Sequence, residues 1–148
     1  MVDCIFCEII KGRLPCAKIY ENERVISFLD INPVNPGHTL VVPKMHYATI
    51  FDISEEDLQA CAVVSKKLAE AVLRGANASG LNFIQNNFRP AGQHVDHIHF
   101  HLIPRHPQDH FFTSWPGKPY QPGELDNIYN RIKTEIETAP RFDPARSD

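Results

Sequence analysis

The stretch HVDHIHFHLIPR, residues 94–105, sets four histidines within eight positions, and three of them, His97, His99 and His101, alternate strictly with Ile98, Phe100 and Leu102. Side chains of successive strand residues point to opposite faces. A strand over 96–103 would therefore turn the imidazoles to one side and the apolar residues to the other. The apolar side packs a core, and the imidazole side is left for chemistry. Two residues advance a strand by about 6.7 Å, so the outer histidines of the three stand about 13 Å apart along the backbone. A metal ion with bonds of about 2 Å gathers two neighbours easily, but all three only if the strand bends sharply. That geometry divides the roles and leaves His99 within reach of whatever either neighbour binds. Five of the eight histidines lie between His94 and His106, a density that neither packing nor solvation demands.

Outward from this stretch, the sequence predicts a sheet with helices set apart from it. IFCEIIKG reads as a short helix ended by Gly12. AKIYENERVISFLDI reads as two strands, Lys18 to Glu21 and Arg24 to Asp30, joined by a turn around Asn22. HTLVVPK supplies a third from His38 to Val42, introduced by the turn-prone NPVNPG. A long helix begins at Ser54, with Asp57 as a capping-box partner, and runs to Arg74 before Gly75. Its inner stripe by 3.6-residue spacing is Leu58, Cys61, Ala62, Ser65, Leu68, Ala69 and Val72. LNFIQNN is a fourth strand and the histidine stretch a fifth. GELDNIYNRIKTEIE spaces Leu125, Ile128, Tyr129 and Ile132 as a helix. Strands in hairpin order with segregated helices indicate an α+β fold with a mainly antiparallel five-stranded sheet, one long helix and one short one. Residues 1–106 read as the catalytic core. Residues 107–148, comprising most of a proline-rich stretch, the C-terminal helix and a frayed tail, are assigned to the same domain.

The chain has 148 residues and a net charge of -3, so it lacks the basic surplus of a protein that grips nucleic acid through phosphates. Small ligands are the better expectation. No secretion signal and no membrane-length apolar run is visible, and the expected address is the cytoplasm. In that reducing setting Cys4, Cys7, Cys16 and Cys61 read as thiols or metal ligands rather than disulfides.

Neutral imidazole carries a free lone pair and leaves well from phosphorus, so one histidine of the triplet can split a displacement into two easier steps. Its neighbours can donate hydrogen bonds to phosphate oxygens as charge builds. Two of the three holding a catalytic zinc is the competing arrangement. CIFC, residues 4–7, separately places two thiolates at a spacing that lets both reach one zinc, which is half of a four-ligand site. Cys16 and Cys61 are candidates for the rest, although Cys61 falls in the apolar stripe of the long helix. A thioredoxin-like redox role lacks the strand-to-helix setting it needs.

HIHFHLI, within AGQHVDHIHFHLIPR, resembles the signature of the histidine triad (HIT) family. CIFCEII, SFLDINPVNPGHTLVVPKMH and NFIQNN are similar to its other blocks, in the expected order over roughly residues 3 to 106. The resemblance implies a HIT-like fold with the sheets of two subunits joined in a homodimer. It also implies a hydrolase or transferase acting at the α-phosphate of purine nucleotide derivatives, such as phosphoramidates or dinucleoside polyphosphates. His99 would be the nucleophile, carrying a covalent nucleotidyl-histidine intermediate, His101 the α-phosphate ligand and His38 a supporting fourth histidine. Asp30 would take the ribose hydroxyls, with Phe6, Leu14, Phe28, Ile31 and Leu40 among the walls around the base. Asn86 and the backbone at Gly92 and Gln93 would lie on the phosphate side. Close approach of backbone amides to phosphate also favours a residue without a side chain at Gly92.

The likeness extends to a zinc-bearing branch whose ligands match Cys4, Cys7, His46 and the first triad histidine, His97. Such a zinc would be structural, because four protein ligands leave no position for water. One position departs from the family pattern. The residue after GQ is commonly a small hydroxyl residue able to bond the leaving group, and here it is His94, which bears on leaving-group preference. Two alternatives stand beside the enzyme: a nucleotide-binding or regulatory module without turnover, and catalysis by a zinc on the triad.

Overall fold

The computed structural model of the chain describes residues 4–111 and 116–138. The tail beyond residue 138, Trp115 and part of the proline-rich stretch fall outside the described residues. Two compact units result, residues 1–111 and 112–148.

In the first unit, a short helix α1 (Ile5–Ile10) precedes strands β1 (Lys18–Glu21), β2 (Val25–Leu29) and β3 (Thr39–Pro43). The long helix α2 (Glu55–Gly75) then leads to β4 (Gly80–Gln85), a single 3-10 turn at Arg89–Ala91 and β5 (Phe100–Arg105). The five strands form one sheet in the order β1-β2-β3-β5-β4, every neighbouring pair antiparallel. In the second unit, α3 spans Glu124–Thr138. No helix among the described residues is long and apolar enough to cross a membrane.

The sheet has two differently used faces because its strands alternate. Val25, Val41, Phe100 and Leu102, with Ile98, pack under Cys61, Val64 and Val72 of α2. Ile26, Phe28, Leu40 and Val42 point the other way and pack with Phe6 of α1. Full burial of such side chains contributes about 1.5–3 kcal/mol each, so either face alone outweighs a slip of register.

Three sequence expectations are corrected here. The histidine strand starts at Phe100 rather than at residue 96, so only His101 of the triplet lies within it. Pairing of β3 with β5 stops at Val41↔Phe100. Upstream, the Ile98 N–H donates to the Tyr47 carbonyl at 2.7 Å instead of to a strand neighbour. Alternation of the two faces nevertheless continues through the irregular part, with Ile98 packed into the α2-side core and His97 and His99 turned toward Phe6. The second correction concerns α2, whose inner face uses Val64 where Ala62 was expected, and Ala62 is exposed. Thirdly, Ser54 does cap α2 by accepting from the Asp57 N–H, but the Asp57 carboxylate does not return the bond. It takes Arg24 Nη1 at 2.8 Å and the Tyr47 hydroxyl at 2.7 Å.

The turn before β3 needs its glycine. Gly37 has φ +95°, and a Cβ there would stand 3.0 Å from that of Ala76 and 3.3 Å from Pro104 Cγ. Leu102, fully buried between α2 and the sheet, is a direct probe of the core. Leu102→Ala is expected to lower the unfolding free energy by about 3 kcal/mol. Urea denaturation checks it, and a loss under about 1 kcal/mol would mean that the site is not the packed interior described.

Candidate active site

On the sheet face away from α2 lies a cavity of about 530 Å³, within the range that holds small ligands. Phe6, Leu14, Phe28, Asp30, Ile31, Leu40, Gly92, His94, His99 and His101, all singled out in the sequence, line it. Phe6, Phe28 and Leu40 are at the same time core residues, whereas Leu14 and Ile31 stand at the rim, Ile31 being 85% exposed. Ile5, Ile9, Pro15, Cys16, Leu29, Asn32 and Val95 line it as well and were not foreseen. Helical spacing of Ile5 and Ile9 on α1 was the signal available for that pair.

Asn86 is not among the lining residues. Its amide nitrogen lies 3.7 Å from where a Gly92 Cβ would sit, and Gly92 itself has φ +89°. The side chain of Gln93 is 2% exposed and serves as a brace. Its oxygen accepts from the Phe88 N–H at 2.7 Å, and its Nε2 donates to the carbonyls of Ala48 and Val95. The main-chain N–H of Gln93 is also taken, donating to the Phe88 carbonyl at 3.1 Å, as the Gly92 N–H donates to that of Arg89 at 2.9 Å.

Hydrogen bonds assign a proton to His99 and His101 of the cavity and to His38 beside them. His99 Nδ1 donates to the His97 carbonyl at 2.7 Å, which leaves Nε2 with a bare lone pair. Phe6 sets its ring edge to face with His99 at 5.1 Å between centroids and holds the imidazole upright. His38 Nδ1 accepts from the Val34 N–H at 3.1 Å, so its proton is on Nε2, which meets His101 Nδ1 at 2.9 Å. His101 Nδ1 is then the acceptor, and its own proton is on Nε2. One imidazole of the cavity therefore offers an electron pair and its neighbour offers a proton. Burial pushes the pKa of His99 and His38 down and that of His101 down to about 3, so all three are neutral near pH 7. Asp30 accepts from the Asn32 N–H at 2.8 Å through one carboxylate oxygen, and its other oxygen lies 3.9 Å from His38 Nε2.

A second constellation adjoins the first. Cys4, Cys7, His46 and His97 bring one donor atom each to within 4.8 Å of one another. His97 Nδ1 is 3.4 Å from Cys4 Sγ, 3.7 Å from Cys7 Sγ and 3.2 Å from His46 Nδ1, and Cys7 Sγ is 3.4 Å from His46 Nδ1. His97 Nε2 donates to the Pro43 carbonyl at 2.9 Å, so Nδ1 turns its lone pair to the cluster. Burial lowers the pKa of His97 to about 4, keeping it in the neutral form a metal ligand requires. The cluster includes neither remaining cysteine. Cys16 lines the cavity, and Cys61 is sealed under the sheet, where burial pushes its thiol up to about 12. Asp30, His38 and His101 also converge, but the two imidazoles there are already hydrogen-bonded to each other.

The HIT domain model matches residues 11–108, and the chain belongs to that family. It is 37% identical to the adenosine 5'-monophosphoramidase of Schizosaccharomyces pombe, over 92% of this chain and 100% of that one. A HIT family protein from Bacillus subtilis superposes with a TM-score of 0.81 at 40% identity, covering 89% of this chain and 96% of that chain. A zinc-bound histidine triad family protein from Mycobacterium smegmatis does so with a TM-score of 0.70 at 34% identity, again over 89% of this chain and 96% of that one.

Neutrality of the buried imidazoles has a cost at low pH. The folded-state pKa of His101 is depressed from an ordinary 6.5 to about 3, so its contribution to stability is complete above 6.5 and is lost as the pH falls toward 3. Urea unfolding free energies between about pH 7 and about pH 4 should therefore fall less steeply for His101→Asn than for the native chain. Equal slopes would contradict a partly buried, neutral His101.

Proposed function

We propose that this chain is a nucleotidyl hydrolase or transferase acting at the α-phosphate of purine nucleoside monophosphate derivatives, through a covalent intermediate on His99. The observation that carries this reading is the proton assignment: a bare Nε2 on His99 beside an Nε2–H on His101, both in one cavity. The Schizosaccharomyces relative, named for phosphoramidase activity on an adenosine monophosphate derivative, supports the reaction class.

His99 Nε2 attacks phosphorus, and a P–N bond forms as the bond from phosphorus to the leaving group breaks and its electron pair departs with that group. His101 Nε2–H steadies a non-bridging oxygen as charge develops, a contact whose loss typically costs about 10²–10³ in rate. Water then cleaves the nucleotidyl-imidazole and restores His99. Asp30 accepts the ribose hydroxyls, and Phe6, Phe28, Leu40, Leu14 and Ile31 enclose the base. Asn86 and His94 serve the phosphate side, with His94 beside the leaving group, and the Gly92 and Gln93 amides would join them by releasing the Arg89 and Phe88 carbonyls.

The Cys4, Cys7, His46 and His97 cluster fits structural zinc. Bonds of about 2.3 Å to sulfur and about 2.0 Å to nitrogen give tetrahedron edges of about 3.5 Å from sulfur to nitrogen and about 3.3 Å between nitrogens. The distances of 3.4, 3.4, 3.7 and 3.2 Å lie close to those edges. Zinc there would tie α1 to the loop around His46 and hold His97 at its place. Four protein ligands leave none of its positions to a substrate, which disfavours a catalytic zinc. Four free cysteines support a reducing compartment, the cytoplasm. The exposed edge strand β4, where Phe83 is 53% exposed, supports pairing of two subunits as a homodimer, which light scattering would measure as twice the chain mass.

Quenching the reaction with an adenosine phosphoramidate should leave an added nucleotide mass on the His99 peptide. His99→Gly should lower kcat/KM by at least about 10³-fold. Hydrolysis at full rate in that variant would refute the mechanism. The imidazole at His94 favours the second reading, a nucleotide-holding module. Measurable affinity with no turnover over a panel of adenosine and guanosine monophosphate derivatives would establish it. Metal analysis should show that Cys4→Ser loses zinc while His99→Gly retains it; the reverse would move the metal to the triad.

A further inference from the structure

Two hydrogen-bond directions are open to the His38–His101 pair. Either His38 Nε2–H donates to His101 Nδ1, or His101 Nδ1–H donates to His38 Nε2. Only the first leaves a proton on His101 Nε2; the second turns a lone pair toward phosphate oxygens and repels them. The Val34 N–H decides between them. It donates to His38 Nδ1 at 3.1 Å, and a neutral imidazole that accepts at one nitrogen must carry its proton on the other.

What keeps Val34 in place is therefore of consequence for a residue it does not touch. Val34 lies in an exposed turn from Asp30 to His38, closed by Asp30 N–H to the His38 carbonyl at 2.9 Å and by His38 N–H to the Asn35 carbonyl at 3.0 Å. Those bonds are internal to the turn. Its anchor on the sheet is the Asn35 side chain, whose Nδ2 donates to the Pro104 carbonyl at 2.8 Å and to Asp109 Oδ2 at 2.9 Å. The pairing of β3 with β5 ends at Thr39↔Leu102, so Asn35 occupies the side of β5 where a longer β3 would have run. Asp109 is itself fixed, its carboxylate taking Arg105 Nε at 2.6 Å, Arg105 Nη2 at 2.7 Å and the His106 N–H at 3.1 Å. Its side chain is 4% exposed.

We propose that Asn35 and Asp109 are positioning residues that fix the proton on His101 Nε2, by clasping the 30–38 turn to the end of β5 so that the Val34 amide stays on His38 Nδ1. This rests on the reading of His101 as the donor to phosphate. Neither residue approaches the cavity, and the clasp acts through three hydrogen bonds in series.

Histidine-selective 15N NMR of the full chain tests it, because the shifts of Nδ1 and Nε2 report which nitrogen is protonated. The native protein should show both His38 and His101 protonated on Nε2. In Asn35→Ala, the His101 signals should move to a mixture of the two tautomers. In the same variant kcat for an adenosine phosphoramidate should fall by about three- to tenfold, with KM changed by less than about twofold, a fraction of the cost of losing one donor outright. Asn35→Ser, read in the same way, serves if the alanine variant does not fold. An unchanged His101 tautomer in the variant, or Nδ1 protonation in the native chain, overturns the proposal. Absence of any turnover in the native chain would overturn the functional reading instead, and the tautomer comparison would still decide the clasp.

Discussion

Ile98, Phe100 and Leu102 are held under α2 by burial worth about 1.5–3 kcal/mol apiece, and that burial obliges His97, His99 and His101 to face the opposite way. A slip of one residue would drive three imidazoles into hydrocarbon and lift three apolar side chains out of it. The core and the chemistry are thus two readings of one backbone. Neutrality of the histidines follows from the same constraint, since the face they occupy is itself closed over by Phe6, Phe28 and Leu40.

His97 joins the two constellations. Its ring reaches Cys4, Cys7 and His46, while its carbonyl receives the His99 Nδ1–H. The spacing argument, that one ion gathers three alternating histidines only where the strand bends sharply, agrees with a cluster that includes His97 and neither of the others. The Pro43 carbonyl fixes the orientation of that ring, and it is free to do so because the β3–β5 ladder has already ended at Val41. The irregular path at residues 97–99 that sequence periodicity missed is therefore part of how the His97 ring is aimed at the cluster.

Most strands were legible as short apolar, β-branched runs bounded by turn residues, and the span of α2 because its burial follows period 3.6. The exceptions have identifiable causes. Periodicity continues through His97 to His99 although the hydrogen-bond ladder does not, so the pattern could not mark where β5 begins. Asp57 had the spacing of a cap but found Arg24 and Tyr47, partners 33 and 10 residues away. Val64 and Ala62 lie on adjoining sides of one helix stripe, and the larger apolar side chain is the one packed against the sheet. At the cavity, residues embedded in recognisable blocks, such as Asp30, Gly92 and His99, were visible from the chain alone. Gln93 was visible as a position but not as a brace, because its partners at Ala48 and Phe88 are set by loop paths. Asn35 and Asp109 carry no local signal at all: 74 residues separate the two ends of their contact.

The first helix spans only Ile5 to Ile10, too short to persist in water by itself. Yet Cys4 and Cys7 on one side of it belong to the cluster, and Ile5, Phe6 and Ile9 on the other form cavity wall. The cavity wall and the Cys/His cluster are therefore inherited together on about one and a half helical turns. A lineage that reshaped this wall would shift Cys4 and Cys7 by the same substitutions, so cavity shape and cluster geometry could drift only in concert.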